Sequence, residues 1–244
     1  MSSNKLFQYS IVSALMDGVA STGMPIAMLL AHGNHGLGTF RHIAGEMIIL
    51  DGEVFQMKSD GSISKISATA MDIISPFAMI TNFEPSDRIV AFLQSKAALF
   101  DLLTELLPMS RNHYIGIRVE GSFSSITVRT VGGQKNAHEG LAELGKHQVS
   151  HTLRSEAEEI VQGTIIGFRS PAYMQGVSVA GDHLHFVTAD RTKGGHVLAF
   201  VTLDKVEVSA AAISTVHIEL PTHDVEFNEA TLKGEHEAIE AVEG

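Results

Sequence analysis

Three histidines fall within twenty residues of this chain, in GDHLHFVTADRTKGGHVLAF at positions 181 to 200. His183 and His185 are two apart, and residues two apart on a strand face the same side. A strand through HLHF therefore presents both imidazoles together and turns Leu184 and Phe186 the other way. If HLHFVTAD and GHVLAFV form a hairpin whose turn centres on Asp190–Arg191, His185 lies opposite His196 and all three rings share one face. A one-residue slip would send His196 to the other face. Lys193-Gly194-Gly195 has room for a bulge, so pattern alone leaves the register open. Three imidazoles with no fourth protein ligand nearby describe an open metal site, because structural zinc is usually closed by four ligands, often Cys. An open position admits water or substrate. Neutral imidazole suits zinc, copper, iron or nickel, and zinc is the commonest of these readings. The plain alternative is a pair of ordinary strand histidines in a chain that holds 13 of them. His113, His138, His147, His151, His217, His223 and His236 have no comparable partners and read as surface or supporting residues.

A metal that activates a substrate still needs groups for proton transfer and charge neutralisation. Glu46 opens the apolar run EMIIL, where a buried carboxylate would have to be paired; by itself the stretch reads more simply as a strand-edge Glu in solvent. Glu53, beside an Asp-Gly turn, reads as solvated. Arg129 lies in SITVRTV among apolar strand residues, where its guanidinium could hold a carboxylate bidentately or face solvent. EAIEAVEG at the end offers Glu237, Glu240 and Glu243, which composition alone reads as a solvated acidic tail.

Around these residues the sequence must build a scaffold. The chain has 244 residues, 44% apolar and 18% charged, with a net charge of -11. That is enough to bury one large or two small cores. An acidic surface repels phosphate backbones and anionic lipid, which disfavours nucleic-acid and membrane partners. With no cysteine, any metal rests on His, Asp or Glu. The N-terminal stretch does not read as a secretory signal, and no run reaches the ~18 apolar residues of a membrane span, so a cytoplasmic location is expected. SIVSALMDGV and GMPIAMLLAH have helical spacing. EMIIL and EVFQM flank Asp51-Gly52, which predicts a hairpin. SDRIVAFLQSKAALFDLLTELLP is expected to be helical from a cap at Ser86 or Asp87 to a stop at Pro108. YIGIRVEGSFSSITVRTV reads as two short strands about Gly121. Positions 132 to 160 are the most polar and mark the expected boundary. The fold class is α+β, with two mixed or antiparallel β-sheet layers and flanking helices. An N-terminal α+β domain over 1-150 is expected, then a β-rich one over 151-244 carrying the histidines and a tail that returns to the site.

Several blocks carry a resemblance over almost the whole chain: LFQYSIVSALMDGV, HGNHGLGTF with GEMIILDGEVFQMKSDGSI, SPFAMITNF, LLPMSRNHYIGIRVEGSFSSITVRTV, and above all GFRSPAYMQGVSVAGDHLHFVTADRTKGGHVLAF. Together they resemble the alpha-acetolactate decarboxylase family. The resemblance implies that family's fold and a carboxy-lyase, forming acetoin and CO2 from 2-acetolactate, probed best by the chirality of the product. It implies Zn2+ on His183, His185 and His196, an active-site arginine at Arg129, an N-terminal glutamate at Glu46 and a C-terminal one at Glu243, with Glu240 as the other possibility. It also implies a homodimer. The mechanism that follows runs through a zinc-stabilised enediolate, with Arg129 neutralising charge and Glu46 and Glu243 protonating one face; no thiamine or pyridoxal is required. The chain departs from the family pattern at Arg41, Ala44 and Asp182, where Asn, Asp and an aromatic are usual, and after Arg129, where GGQKNAHEGL lacks a Pro-Tyr element. The competing readings are another three-histidine zinc lyase or hydrolase, and a non-catalytic metal-binding module. A cupin-type oxygenase fits less well, since Ala189 stands where cupins place a Glu.

Overall fold

The computed structural model describes residues 4–137, 139–232 and residue 239. In chain order its strands and helices are β1 (Lys5–Tyr9), α1 (Val12–Met16), β2 (Met24–Pro25), α2 (Ile26–Leu29), β3 (His35–Thr39), β4 (Glu46–Leu50), β5 (Glu53–Met57), β6 (Ile63–Ile66), β7 (Ile74–Ser75), β8 (Ala78–Thr81), β9 (Asp87–Ala91), α3 (Lys96–Leu106), β10 (Tyr114–Thr130), α4 (Leu141–Gly145), β11 (Val149–Arg154), β12 (Val161–Ser170), β13 (Gly181–Thr188), β14 (Gly194–Thr202), β15 (Val206–Ile213), β16 (Thr215–Glu219) and α5 (Val225–Glu229). The α+β, sheet-dominated class read from the sequence is what the chain adopts. No helix among the described residues is long and apolar enough to cross a membrane.

Two large sheets form. The first runs β16-β1-β8-β3-β4-β5-β6, antiparallel except where β16 lies parallel to β1. Its β4–β5 hairpin turns on Asp51-Gly52, both with positive φ (53° and 79°), with Leu50 opposite Glu53. That is the turn geometry an Asp-Gly pair favours. In the second, β10 pairs with β12, β12 with β13, β13 with β14, and β14 again with β10, so these four strands close a ring. β15 continues from β10 and carries β9 outside it.

Apolar alternation explains the layering. Leu37, Ile48 and Phe55 of the first sheet meet Ile166, Phe168 and Val187 of the second in a shared core. On its other face the second sheet packs Ile117, Phe123, Leu184, Phe186 and Phe200 together, with Leu99 and Leu103 of α3 against them. The rings of Phe123 and Phe186 stand edge to face at 5.3 Å. Each such side chain contributes about 1.5–3 kcal/mol on burial, so slipping β13 by one residue would forfeit several of these at once. The parity of HLHF is set by Leu184 and Phe186.

Two local expectations need correction. The helix over 86–108 begins only at Lys96; Ser95, not Ser86 or Asp87, caps it, its hydroxyl accepting from the Ala98 N–H at 3.0 Å. Residues 87–91 instead pair with β15, Ile89 opposite Val208, and their burial alternates along the strand. Nor does Gly121 separate two strands. β10 is one 17-residue strand, and Gly121 (φ 155°) sits where a Cβ would lie 2.5 Å from the Val206 side chain. Glycine there lets β15 approach, and the strand continues. The polar stretch 132–160 holds α4 and β11.

Arg118 of β10 links the layers, its Nη1 and Nη2 donating to the two carboxylate oxygens of Asp51 at 2.6 and 3.2 Å. Nearby, His35 is 1% exposed and stacks on Phe83 at 4.4 Å. Burial, helped by the Arg118 charge, lowers its pKa from 6.5 to about 4. Above pH 6.5 the residue is neutral folded or unfolded and has no effect on the balance. Between 6.5 and about 4 only the unfolded chain takes the proton, so stability falls as pH falls, by up to about 1.4 kcal/mol per pH unit. Denaturant titrations of His35→Leu across that window are expected to show a slope shallower by that amount than the wild type.

Candidate active site

The site lies between the layers, on the outer face of the four-stranded ring. His185 is opposite His196, Phe186 opposite Gly195 and Val187 opposite Gly194, the register of a hairpin turning on Asp190–Arg191. Arg191 takes the left-handed conformation (φ 61°) there. His183, His185 and His196 are all buried, and one ligand atom from each lies within 4.8 Å of the others. Their ring centroids are 5.0 to 5.5 Å apart. The group can hold a metal ion. His185 Nδ1 is 2.7 Å from the Met47 carbonyl oxygen. A carbonyl only accepts, so Nδ1 carries the proton and the lone pair is on Nε2. That arrangement fixes the tautomer of a metal-binding imidazole. Burial lowers the His185 pKa to about 4, against the Met47 bond and with help from Arg129. His183 and His196 are pushed well below their ordinary value, by burial first and then by neighbouring cationic and imidazole groups. All three are neutral near pH 7, the form that donates to a metal.

Arg129 is 1% exposed and sits directly opposite His196 across the β10–β14 ladder, so its guanidinium shares the histidine face. Its Nη1 donates to Gln148 Oε1 at 2.5 Å. Glu46 comes from the other layer. Its strand, β4, lies between β3 and β5, and the residue is 8% exposed; the solvated reading of the stretch does not hold. Glu46 Oε2 is 3.6 Å from His185 Nε2. Glu46 and His183 line one small pocket with Thr39, Val12, Leu15, Ile43, Val131 and Leu141. Glu243 and Glu240 lie outside the described residues. Glu53, the other carboxylate weighed, pairs with Lys65 in solvent.

Sequence pattern missed several parts of this arrangement. Gln148 lies in the polar connection with nothing to mark it. The chain corner before Glu46 is strained, with His42 at φ 61° and Ile43 at φ 54°. Left-handed non-glycine residues cost about 1–3 kcal/mol each and persist where surroundings over-determine them. Here the Gln56 amide donates to the Ala44 carbonyl at 2.7 Å, the Gln134 N–H to the His42 carbonyl at 2.7 Å, and the Thr39 hydroxyl to the Gly45 carbonyl at 2.7 Å. Ala44 serves through its carbonyl, which any residue could supply. Asp182 neighbours His183 in sequence but points to the opposite face, where Arg169 meets it. The Asp182 carboxylate is thus on the ring's other side, paired with Arg169.

The structure is an α+β protein of two β-layers with a buried three-histidine group between them and a carboxylate and a guanidinium beside it. Residues 6–234 match the family model described as alpha-acetolactate decarboxylase. The chain is 35% identical over 244 residues to the alpha-acetolactate decarboxylase of Methanosarcina mazei, covering 99% of this chain and 81% of that one. It is 36% identical over 241 residues to that of Raoultella terrigena, covering 98% and 89%. Among solved structures, alpha-acetolactate decarboxylase from Bacillus subtilis strain 168 superposes with a TM-score of 0.90 at 31% identity, over 98% of this chain and 99% of that one. A Staphylococcus aureus protein of unknown function, described as similar to alpha-acetolactate decarboxylase, gives 0.91 at 28%, over 98% and 100%. The chain belongs to the alpha-acetolactate decarboxylase family and is a carboxy-lyase.

The Gln148 contact is open to test. Gln148→Leu removes the charge-assisted bond at Arg129 Nη1. Steady-state assay on acetolactate is expected to show kcat/KM down about tenfold, with the metal content of the purified variant unchanged.

Proposed function

We propose that the protein decarboxylates 2-acetolactate to acetoin with Zn2+ held by His183, His185 and His196, and that Arg129, Glu46 and a glutamate of the C-terminal tail complete the site. The single observation carrying this is the buried triad of neutral imidazoles, with the His185 tautomer set by Met47 so that Nε2 faces the cluster. Nitrogen donors in an open set of three suit zinc in a catalytic rather than a structural role. When bound, Zn2+ supplies Lewis acidity toward the ketone and hydroxyl oxygens of the substrate.

The chain's own residues account for the rest. The substrate is a β-keto acid: the bond from its carboxylate to C2 breaks, CO2 leaves, and the electron pair passes into an enediolate. The Arg129 guanidinium, buried opposite His196, binds the departing carboxylate and then offsets the negative charge left behind. Glu46 holds the proton at Oε2 and delivers it to C2 from the β4 side, giving acetoin. A fixed carboxylate on one side makes the product a single enantiomer. The apolar wall of Val12, Leu15, Ile43 and Leu141 excludes water, which strengthens these electrostatic contacts. Glu243 is proposed as the second proton-handling carboxylate. In support, Ile239, four residues before Glu243 in sequence, is fully buried in the inter-sheet core that also holds Ile43, Val131 and Leu141.

Purified protein incubated with racemic acetolactate is expected to release CO2 and one acetoin enantiomer, to lose that activity to a chelator, and to regain it with Zn2+. His183→Ala is expected to abolish zinc binding and turnover together. Full turnover by a metal-free variant would sink the zinc assignment, and hydrolase activity without CO2 release would favour the rival three-histidine hydrolase. Truncation of residues 240–244 is expected to lower kcat at least a hundredfold with zinc retained; unchanged kcat would remove the tail glutamate from the mechanism.

A further inference from the structure

The three histidines are not equally supported by the sheet. His185 and His196 face each other in the middle of the β13–β14 ladder. His183 lies two residues into β13, just after Gly181, whose φ of 85° breaks the extended backbone. Among the described residues β14 pairs with β13 only at His185, Phe186 and Val187, so at His183 the backbone is laddered on the β12 side alone, against Phe168. Its neighbour Asp182 stands directly opposite Arg169 on that same side.

Those two residues form a nearly solvent-free pair on the face away from the histidines, side chains 3% and 9% exposed. Arg169 Nε donates to Asp182 Oδ1 at 2.6 Å and Nη2 to Oδ2 at 3.0 Å. The guanidinium then reaches α3: Nη1 donates to the Thr104 hydroxyl and Nη2 to the Phe100 carbonyl, both at 3.2 Å, and its carbon lies 3.9 Å over the Phe100 ring. A bidentate fork fixes direction as well as distance. This chain carries it at a position where the family resemblance leads one to expect an aromatic.

We propose that Asp182 and Arg169 are positioning residues for the metal site: tied to α3, they hold the start of β13 so that the His183 imidazole meets the other two. The inference rests on the reading of the triad as a metal site. It makes Asp182 act through the backbone of His183, with no contact to metal or substrate. Partners that orient a ligand from outside the coordination shell typically matter about 10–100-fold in metal affinity.

The test uses the full chain and metal alone. Zn2+ affinity is measured by competition with a chromophoric chelator, and Co2+ is added to the metal-free protein to record its visible spectrum, which reports ligand number and geometry. Asp182→Asn keeps the shape and removes the charge; it is expected to bind Zn2+ at least tenfold more weakly and to shift the Co2+ bands. A purely structural role would lower the melting temperature and leave the affinity of the folded protein and the Co2+ spectrum unchanged, and that result overturns the proposal. Should Asp182→Asn fail to fold, Thr104→Val removes one strut and leaves the ion pair; about twofold to fivefold weaker binding supports the proposal and unchanged binding overturns it. Wild-type protein that takes up neither metal would overturn the metal-site reading itself, and this inference with it.

Discussion

The arrangement of the whole molecule depends on the two-sidedness of β13. Leu184 and Phe186 are driven into the ring of β10, β12, β13 and β14, where Phe123 and Phe200 receive them. Strand geometry then has no choice but to place His183 and His185 on the other face. Hydrophobic burial thus pays the cost of gathering three polar rings where water is scarce. Closure of the ring adds rigidity: β14 is bound to β13 on one side and to β10 on the other, so His196 and Arg129 cannot separate without breaking the closure.

The second constraint acts across the layers. Glu46 belongs to one sheet and the histidines to the other, and their 3.6 Å approach requires the two sheets to keep their spacing. The Met47 carbonyl does this within the site, since its bond to His185 ties β4 to β13 one residue from Glu46. Arg118 and Asp51 do it farther out. A strained corner at His42 and Ile43 is tolerable in such a frame, because Thr39, Gln56 and Gln134 fasten its carbonyls on three sides.

How far this could be seen in the sequence depended on whether the signal was periodic. HLHF, the hairpin partner GHVLAF and the Asp51-Gly52 turn obey period-two and turn rules, and the structure has each where those rules put it. Glu46 was ambiguous because EMIIL does not alternate; a continuous apolar run marks a strand covered on both faces, which is the signal that Glu46 could not be in solvent. Helix α3 starts later than the pattern predicts because Ile89 and Val90 fit a helical stripe as well as an edge strand. The family resemblance supplied the reaction and the roles of distant residues, which no local pattern contains. Gln148 and the Arg169–Asp182 fork were invisible, since each is a contact made by tertiary folding between residues that look solvated in isolation.

The buried charges follow a common logic. Arg129 and Arg169 lie on opposite faces of the ring, each desolvated and each donating to a side-chain oxygen that its own or a neighbouring strand brings up. Burying a guanidinium costs free energy unless it is paired and hydrogen-bonded. Arg169 is held by a carboxylate, a hydroxyl, a carbonyl and an aromatic ring; four of its five N–H donors are engaged, which suits it to hold a backbone still. Arg129 donates to the amide oxygen of Gln148, which helps to orient the guanidinium. Its positive charge lies on the histidine face, where it lowers the pKa of His185 and His196. The two arginines thus serve different places in the fold: Arg169 ties β12 and β13 to α3 on the inner face of the ring, and Arg129 lies opposite His196 on the outer one.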